Sequence, residues 1–207
     1  MDSPPQISPL GRYLSHPSYL AGNYRHLMRT SSALVSSLSG LFGIIFCVSC
    51  HFGPRTVEVD GRFRLTLPPY LQDQTGLHDS APLQTGDRVK DLYLIARYEN
   101  KMAIKSKKNN FSQLNYYDTT VDNLLYLLEN SNYSDPEQIL IDRMPCLSGQ
   151  ITGQYKEQEI TYHLWVIESS QNFYQLLAWG PSSSFKTYEP ELESAVRSFQ
   201  LLNKAGQ

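Results

Sequence analysis

Residues 57–203 read as one α+β domain, on two patterns. Short apolar runs that alternate with polar residues and close on Gly, Pro or Asn mark strands. Two other stretches carry apolar residues at the 3.6-residue spacing of a helix. A third observation sets a signal segment ahead of the domain: an apolar stretch from Ala33 to Val48, with cations before it and no acid from Ser3 to Val57.

The elements follow in chain order. Residues 56–59 and 62–67 form a hairpin about Asp60-Gly61, a pair suited to a type I′ turn. Phe63, Leu65 and Leu67 alternate with Arg62, Arg64 and Thr66, and Pro68-Pro69 stops the second strand. Residues 70–90 are polar, carry Gly76, Pro82 and Gly86, and read as an ordered loop. Residues 92–99 make a strand with Leu92, Leu94 and Ala96 on one face and Tyr93 and Ile95 on the other. The main helix falls within 111–129, where Leu114, Tyr117, Val121, Leu124, Leu125 and Leu128 recur, and residues 130–136 end it. Strands are expected at 138–143, 149–155, 160–168 and 172–179, with polar turns at 156–159 and 169–172. Tyr188-Glu189-Pro190 opens a final helix through Arg197. Its stripe is Leu192, Ala195, Val196 and Phe199, and Glu189, Glu191 and Glu193 sit at its positive end.

Composition narrows the function classes. The hydrophobic fraction of 41% suffices for a core, and the chain carries a net charge of −2. Removing residues 1–49 takes away Arg12, Arg25, Arg29 and Asp2. That leaves 15 basic and 19 acidic residues, a charge near −4. A mildly acidic domain has no general attraction to nucleic acid, so no nucleic-acid partner is expected. The cluster Lys105, Lys107 and Lys108, with Asn109 and Asn110, reads as a solvated loop. Cys47, Cys50 and Cys146 are the three cysteines; with Cys50 lipidated and Cys47 removed with a signal segment, Cys146 has no partner in the chain, so no disulfide scaffold is expected. Cys47 and Cys50 form a CxxC, but a redox pair needs a strand-to-helix turn, and this pair ends an apolar run.

Arg25, His26 and Arg29 precede the apolar stretch, as in the n-region and h-region of a secretory signal. The stretch is shorter than the ~20 apolar residues a spanning helix needs. Residues 1–27 are long for an n-region and read as a leader or as lying upstream of the true start, with Met28-Arg29 a normal beginning. The tetrapeptide Cys47-Val48-Ser49-Cys50 resembles a bacterial lipobox, with Cys47 in place of the usual Leu. The resemblance implies cleavage between Ser49 and Cys50, a signal peptide over 28–49 and a lipidated tether over 50–56. Ser49 is small enough for a signal peptidase, and the Cys50 thiol takes diacylglycerol. Two or three chains, at ~0.8 kcal/mol per buried CH₂, anchor stably in membrane lipid. His51-Phe52-Gly53-Pro54 has neither an Asp directly after the cysteine nor an acidic run. That implies the periplasmic face of the outer membrane rather than the inner membrane.

The domain resembles the Mog1/PsbP-like fold. The matching segments are Phe63-Arg64-Leu65-Thr66-Leu67-Pro68 with Tyr70-Leu71, residues 92–97 with Glu99-Asn100-Lys101, residues 147–152, and Ser194-Ala195-Val196-Arg197-Ser198-Phe199. The resemblance covers about 58–202. It implies an α/β/α sandwich, a central antiparallel sheet of about six strands flanked by helices. Plant PsbP-type relatives are associated with metal-dependent photosystem assembly. No metal motif carries over, and no metal or cofactor is expected.

Candidate chemistry is sparse. His78-Asp79 reads as a surface loop pair, His163 as a structural strand residue beside Tyr162 and Trp165, and His51 as solvated tether. HExxH, GxSxG, Walker and GxGxxG motifs are absent. Gly149 and Gly153 mark a bulge or a close contact. Cys146 reads as a buried or half-buried thiol, and Asp135, Glu137 and Asp142 are too loosely spaced for an EF-hand. Tyr155, Tyr162, Trp165, Phe173, Tyr174 and Trp179 are expected mostly in packing, and would form a partner surface if they shared an exposed face. Two functions remain. One is a lipid-anchored, non-catalytic envelope binding or assembly module, with a possible envelope protein partner. The other is an envelope hydrolase, which requires His78, His163, Asp142 or Cys146 to meet in one pocket.

Overall fold

A computed structural model describes residues 53–105 and 111–202. The leader, the signal peptide, Ser49, Cys50, His51 and the Lys107, Lys108, Asn109 and Asn110 loop lie outside the described residues. The elements are β1 (Arg55–Val59), β2 (Phe63–Leu67), β3 (Gln72–Asp73), β4 (Leu83–Asp87), β5 (Leu92–Asn100), α1 (Lys101–Lys105), α2 (Gln113–Leu125), β6 (Glu129–Tyr133), β7 (Glu137–Ile141), β8 (Met144–Tyr155), β9 (Gln158–Glu168), β10 (Asn172–Pro181), α3 (Ser182–Arg197) and β11 (Gln200–Leu201).

An eight-stranded sheet runs β3-β4-β5-β10-β9-β8-β6, with β7 also paired to β8. All of its pairings are antiparallel. β1, β2 and β11 form a second, three-stranded sheet. The α+β class is therefore as expected, while the central sheet exceeds the expected six strands. The added strands are those whose side chains carry no pattern. All five residues of β6 are exposed, so backbone pairing to β8 holds it without an apolar face.

Period-two alternation puts the core on both faces of the large sheet. One face joins Leu92, Leu94, Trp165, Ile167, Leu176 and Ala178 to Phe63, Leu65 and Leu67 of the small sheet and to Phe185, Leu192 and Val196 of α3. The other joins Ile151, Leu164, Val166, Phe173 and Leu177 to Tyr116, Tyr117, Val121 and Leu124 of α2. The result is a sheet covered by α2 on one side and by α3 with the small sheet on the other.

The Asp60-Gly61 turn forms with both residues at positive φ, and Arg62 N–H closes onto Val59 O at 2.9 Å. A second tight turn, unanticipated, joins β7 to β8 through Asp142 and Arg143, also at positive φ. α2 starts at a capping box in which Ser112 and Asn115 exchange hydrogen bonds.

α3 departs most from expectation. It begins at Ser182 and carries Pro190 inside, so Glu189, Glu191 and Glu193 lie mid-helix rather than at its positive end. An interior proline removes a backbone donor. Buried Phe185 lies one heptad before Leu192, so the apolar stripe extends upstream of the proline and holds the first turns on the sheet.

Candidate functional site

A groove of about 660 Å³ lies between α3 and the β6–β7–β8 edge. Two strands, β6 and β7, pair with successive parts of the long β8. Where they part, Ser134 N–H donates to Gln150 O at 3.3 Å. Ser148, Gln150 and Thr152 line the groove from one face of β8. His163 lines it from β9, and Glu189, Glu193 and Arg197 line it from α3.

His163 is the chemical centre of the groove. It pairs across strands with Gln150 and lies diagonal to Ser148. Its Nε2 is 3.0 Å from Ser148 Oγ, and its ring stacks on Trp165 with centroids 3.7 Å apart. Nδ1 has no hydrogen-bond partner, and Glu189 Oε1 lies 3.7 Å from it. Burial pushes the imidazole down to about 4, against a smaller opposing pull from Glu193, so the ring is neutral at neutral pH. Glu189 is held above the usual carboxylate range, first by burial and then by the charge of Glu193. The Gln150 amide donates to Glu189 Oε1, and Arg197 pairs with Glu193 at 2.6 Å.

Hydroxyl, imidazole and carboxylate follow in the order that activates a serine. The relay is not assembled, because 3.7 Å exceeds hydrogen-bond reach and Glu189 is engaged by Gln150. A second groove of about 390 Å³ is lined by β1 and by residues 73–75 and 82–84. There Arg55 and Asp73 neutralise each other at 2.5 Å.

Of the four residues that a hydrolase requires to meet, only His163 lines the larger groove. Cys146 is buried in the core under α3, and burial pushes its thiol up to about 12, an inert environment. Asp142 accepts from Leu201 N–H at 3.0 Å beside the β7–β8 turn. His78 is buried, which corrects the expected surface pair. Gln84 folds the 77–84 loop inward by accepting from Leu77 and His78 N–H and donating to His78 and Ala81 carbonyls. Burial lowers the His78 imidazole, and Arg97 adds to the effect.

The aromatic residues do not share an exposed face. Trp165 and Tyr174 enter one core, whereas Tyr162, Phe173 and Trp179 belong to the other. Asp135 and Glu137, too loosely spaced for a cation loop, line the groove. Ser148 and Gln150 carry no signal in the sequence, because only their shared strand face with His163 gives them a role. Gly149 and Gly153 mark close contacts: Gly149 sits against Tyr117 Oη, and a Cβ at Gly153 would lie 2.8 Å from Leu128 Cβ. Gly149→Ala should therefore cost about 2 kcal/mol by overpacking. Denaturant unfolding at constant m-value measures it, and a loss under roughly 0.5 kcal/mol would show that Tyr117 moves freely aside.

No protein-family model matches the chain, and no curated protein matches it by sequence. Solved structures do. The cyanobacterial PsbP of Synechocystis is 11% identical at a TM-score of 0.52, over 79% of this chain and 98% of its own. The Saccharomyces cerevisiae Ran-binding protein Mog1p is 12% identical at 0.48, over 73% and 97%. LpqN of Mycobacterium tuberculosis, described as involved in cell envelope biogenesis, is 11% identical at 0.46, over 72% and 83%. A longer Bacteroides thetaiotaomicron structure is 15% identical at 0.47, over 75% of this chain, and only 50% of its own length is covered. The likeness to PsbP is one of fold: the domain is an α+β sandwich of the Mog1/PsbP-like type.

Proposed function

We propose that this chain is a lipid-anchored, non-catalytic binding or assembly module of the cell envelope, held through Cys50 to the periplasmic face of the outer membrane. One observation carries the binding role. The groove beside α3 is polar and open, and at its floor a buried imidazole keeps one nitrogen without a partner. The envelope address rests on Arg25, Arg29, the apolar run and the lipobox. No helix among the described residues is long and apolar enough to cross a membrane.

Mass spectrometry of the processed protein tests the anchor. The expected product begins at Cys50 and carries diacylglycerol. An unmodified chain beginning at Met1, at Met28 or beyond Cys50 overturns it.

A second reading, an envelope hydrolase, is favoured by the Ser148–His163 contact at 3.0 Å. A fluorophosphonate probe separates the two. Labelling at Ser148 that is lost in Ser148→Ala supports the hydrolase, and an unlabelled folded chain supports the binding module.

A further inference from the structure

The groove beside α3 holds more carboxylate than its own residues neutralise. Asp135 and Glu137 line it beside the β6–β7 edge, and Glu189 and Glu193 line it from α3. Among the lining residues Arg197 is the cation, and it is paired with Glu193. Glu189 has a neutral amide, that of Gln150, for a partner.

An acidic wall alone identifies no ligand. The independent observation is His163, whose side chain is 10% exposed, whose Nε2 is engaged by Ser148, and whose Nδ1 has no hydrogen-bond partner. Nδ1 and Glu189 Oε1 stand 3.7 Å apart. That gap is too long for a direct hydrogen bond. Nδ1 is shut off from solvent, so a donor nitrogen at roughly 2.9 Å from each spans the gap as the Glu189 side chain, 31% exposed, shifts to admit it. With Nε2–H donating to Ser148 Oγ, Nδ1 offers a lone pair, and the carboxylate offers charge. A positively charged group with several N–H bonds satisfies both.

Resting on the binding reading above, we infer that the groove binds an organic primary ammonium compound, its ammonium nitrogen seated between His163 Nδ1 and Glu189 Oε1. A metal ion fits less well, because no group of three or more His, Cys, Asp or Glu among the described residues converges to hold one. Ser148, Gln150, Thr152 and Asn132 add hydroxyl and amide groups along the same groove, which favours a hydroxylated amine such as an amino sugar. A volume of about 660 Å³ accommodates a ligand of that size. Burial keeps the His163 ring uncharged at neutral pH, so the lone pair is available there.

The test is a titration of ¹⁵N-labelled full chain in detergent micelles, followed by amide shifts. Glucosamine is the probe, with glucose, tetramethylammonium and calcium as comparators. Saturable shifts are expected at 148–152 and 189–193 with glucosamine, at about tenfold or more lower concentration than with glucose or tetramethylammonium. Glu189→Gln should weaken glucosamine binding by about tenfold or more while leaving the remaining spectrum in place. Glu193→Gln, one turn along α3, provides a second variant should the first perturb folding.

Equal response to glucose or to tetramethylammonium overturns the ammonium inference, as does full binding by both glutamine variants. Saturation of the same residues by glucose or calcium alone also overturns it, yet leaves a binding module in place. Fluorophosphonate labelling at Ser148 overturns the non-catalytic reading whatever the amine result.

Discussion

Trp165→Ala is expected to destabilise the domain by about 3–5 kcal/mol, a large fraction of the stability of an ordinary domain. Trp165 is 1% exposed and sits mid-strand on β9, opposite Ser148 on β8 and Leu176 on β10. Three strands and α3 thus converge on one indole, and alanine leaves a cavity that rigid strand pairing cannot close. The indole also supports His163, whose ring stacks at an interplanar angle of 20°. The mutation should therefore loosen the floor of the groove as well as the core. Trp165→Phe retains most of the contact and should cost markedly less. Trp179→Ala, on the opposite face between Tyr93 and Tyr162, removes a half-buried ring and should also cost less. Denaturant midpoints rank the three variants. A Trp165→Ala loss no greater than that of Trp179→Ala would show that the core under α3 is loosely packed.

Acid should destabilise the protein through His163, by about 3 kcal/mol at most, from the shift between 6.5 and about 4. The folded-state value lies below the unfolded one, so the unfolded chain takes up the proton first as pH falls. This contribution is intact above about pH 6.5, is lost progressively between about 6.5 and 4, and changes no further below that. Glu193 on α3 softens the penalty by attracting the protonated form, and Glu189, also on α3, places Oε1 3.7 Å from Nδ1. Glu189 itself is shifted upward and contributes with the opposite sign, its stabilisation fading as pH rises through its folded value. Comparison with His163→Gln isolates the imidazole. The wild type should lose stability across this window while the glutamine variant stays flatter. Parallel curves for the two proteins would defeat the assignment.

The legible parts of the fold are those with periodic burial. Leu92, Leu94 and Ala96 announce β5, and Val121 and Leu124 announce α2, because each keeps one face in the core. Strands held by backbone pairing alone are not legible. β6 is exposed throughout, β3 has two exposed residues, and β11 has two residues. β4 is hidden because Gln84, Thr85 and Gly86 look like a loop, although Thr85 is buried with its hydroxyl donating to Leu94 O at 3.1 Å. The tight Asp142-Arg143 turn is hidden because neither residue is glycine, yet both adopt positive φ.

The candidate site divides along the same line. His163 stands out as a strand histidine, and Glu189 and Glu193 as acids on the final helix. Their meeting depends on where that helix begins and how it crosses the sheet. With the helix starting at Ser182, the two glutamates fall mid-helix over β8 and β9 rather than at a free terminus.

By itself the sequence determined the α+β class, the middles of the long strands, the helix within 111–129 and the second half of the final helix, but not that β8 begins at Met144 or that the final helix begins at Ser182. The determined parts are local properties, written in residue period and short motifs. Only the tertiary structure decided the eight-stranded sheet, the small sheet and the groove that unites Ser148, His163 and Glu189. Those depend on strand register and helix crossing, which arise from contacts between distant residues. A spacing along the chain carries no trace of them until the core is packed.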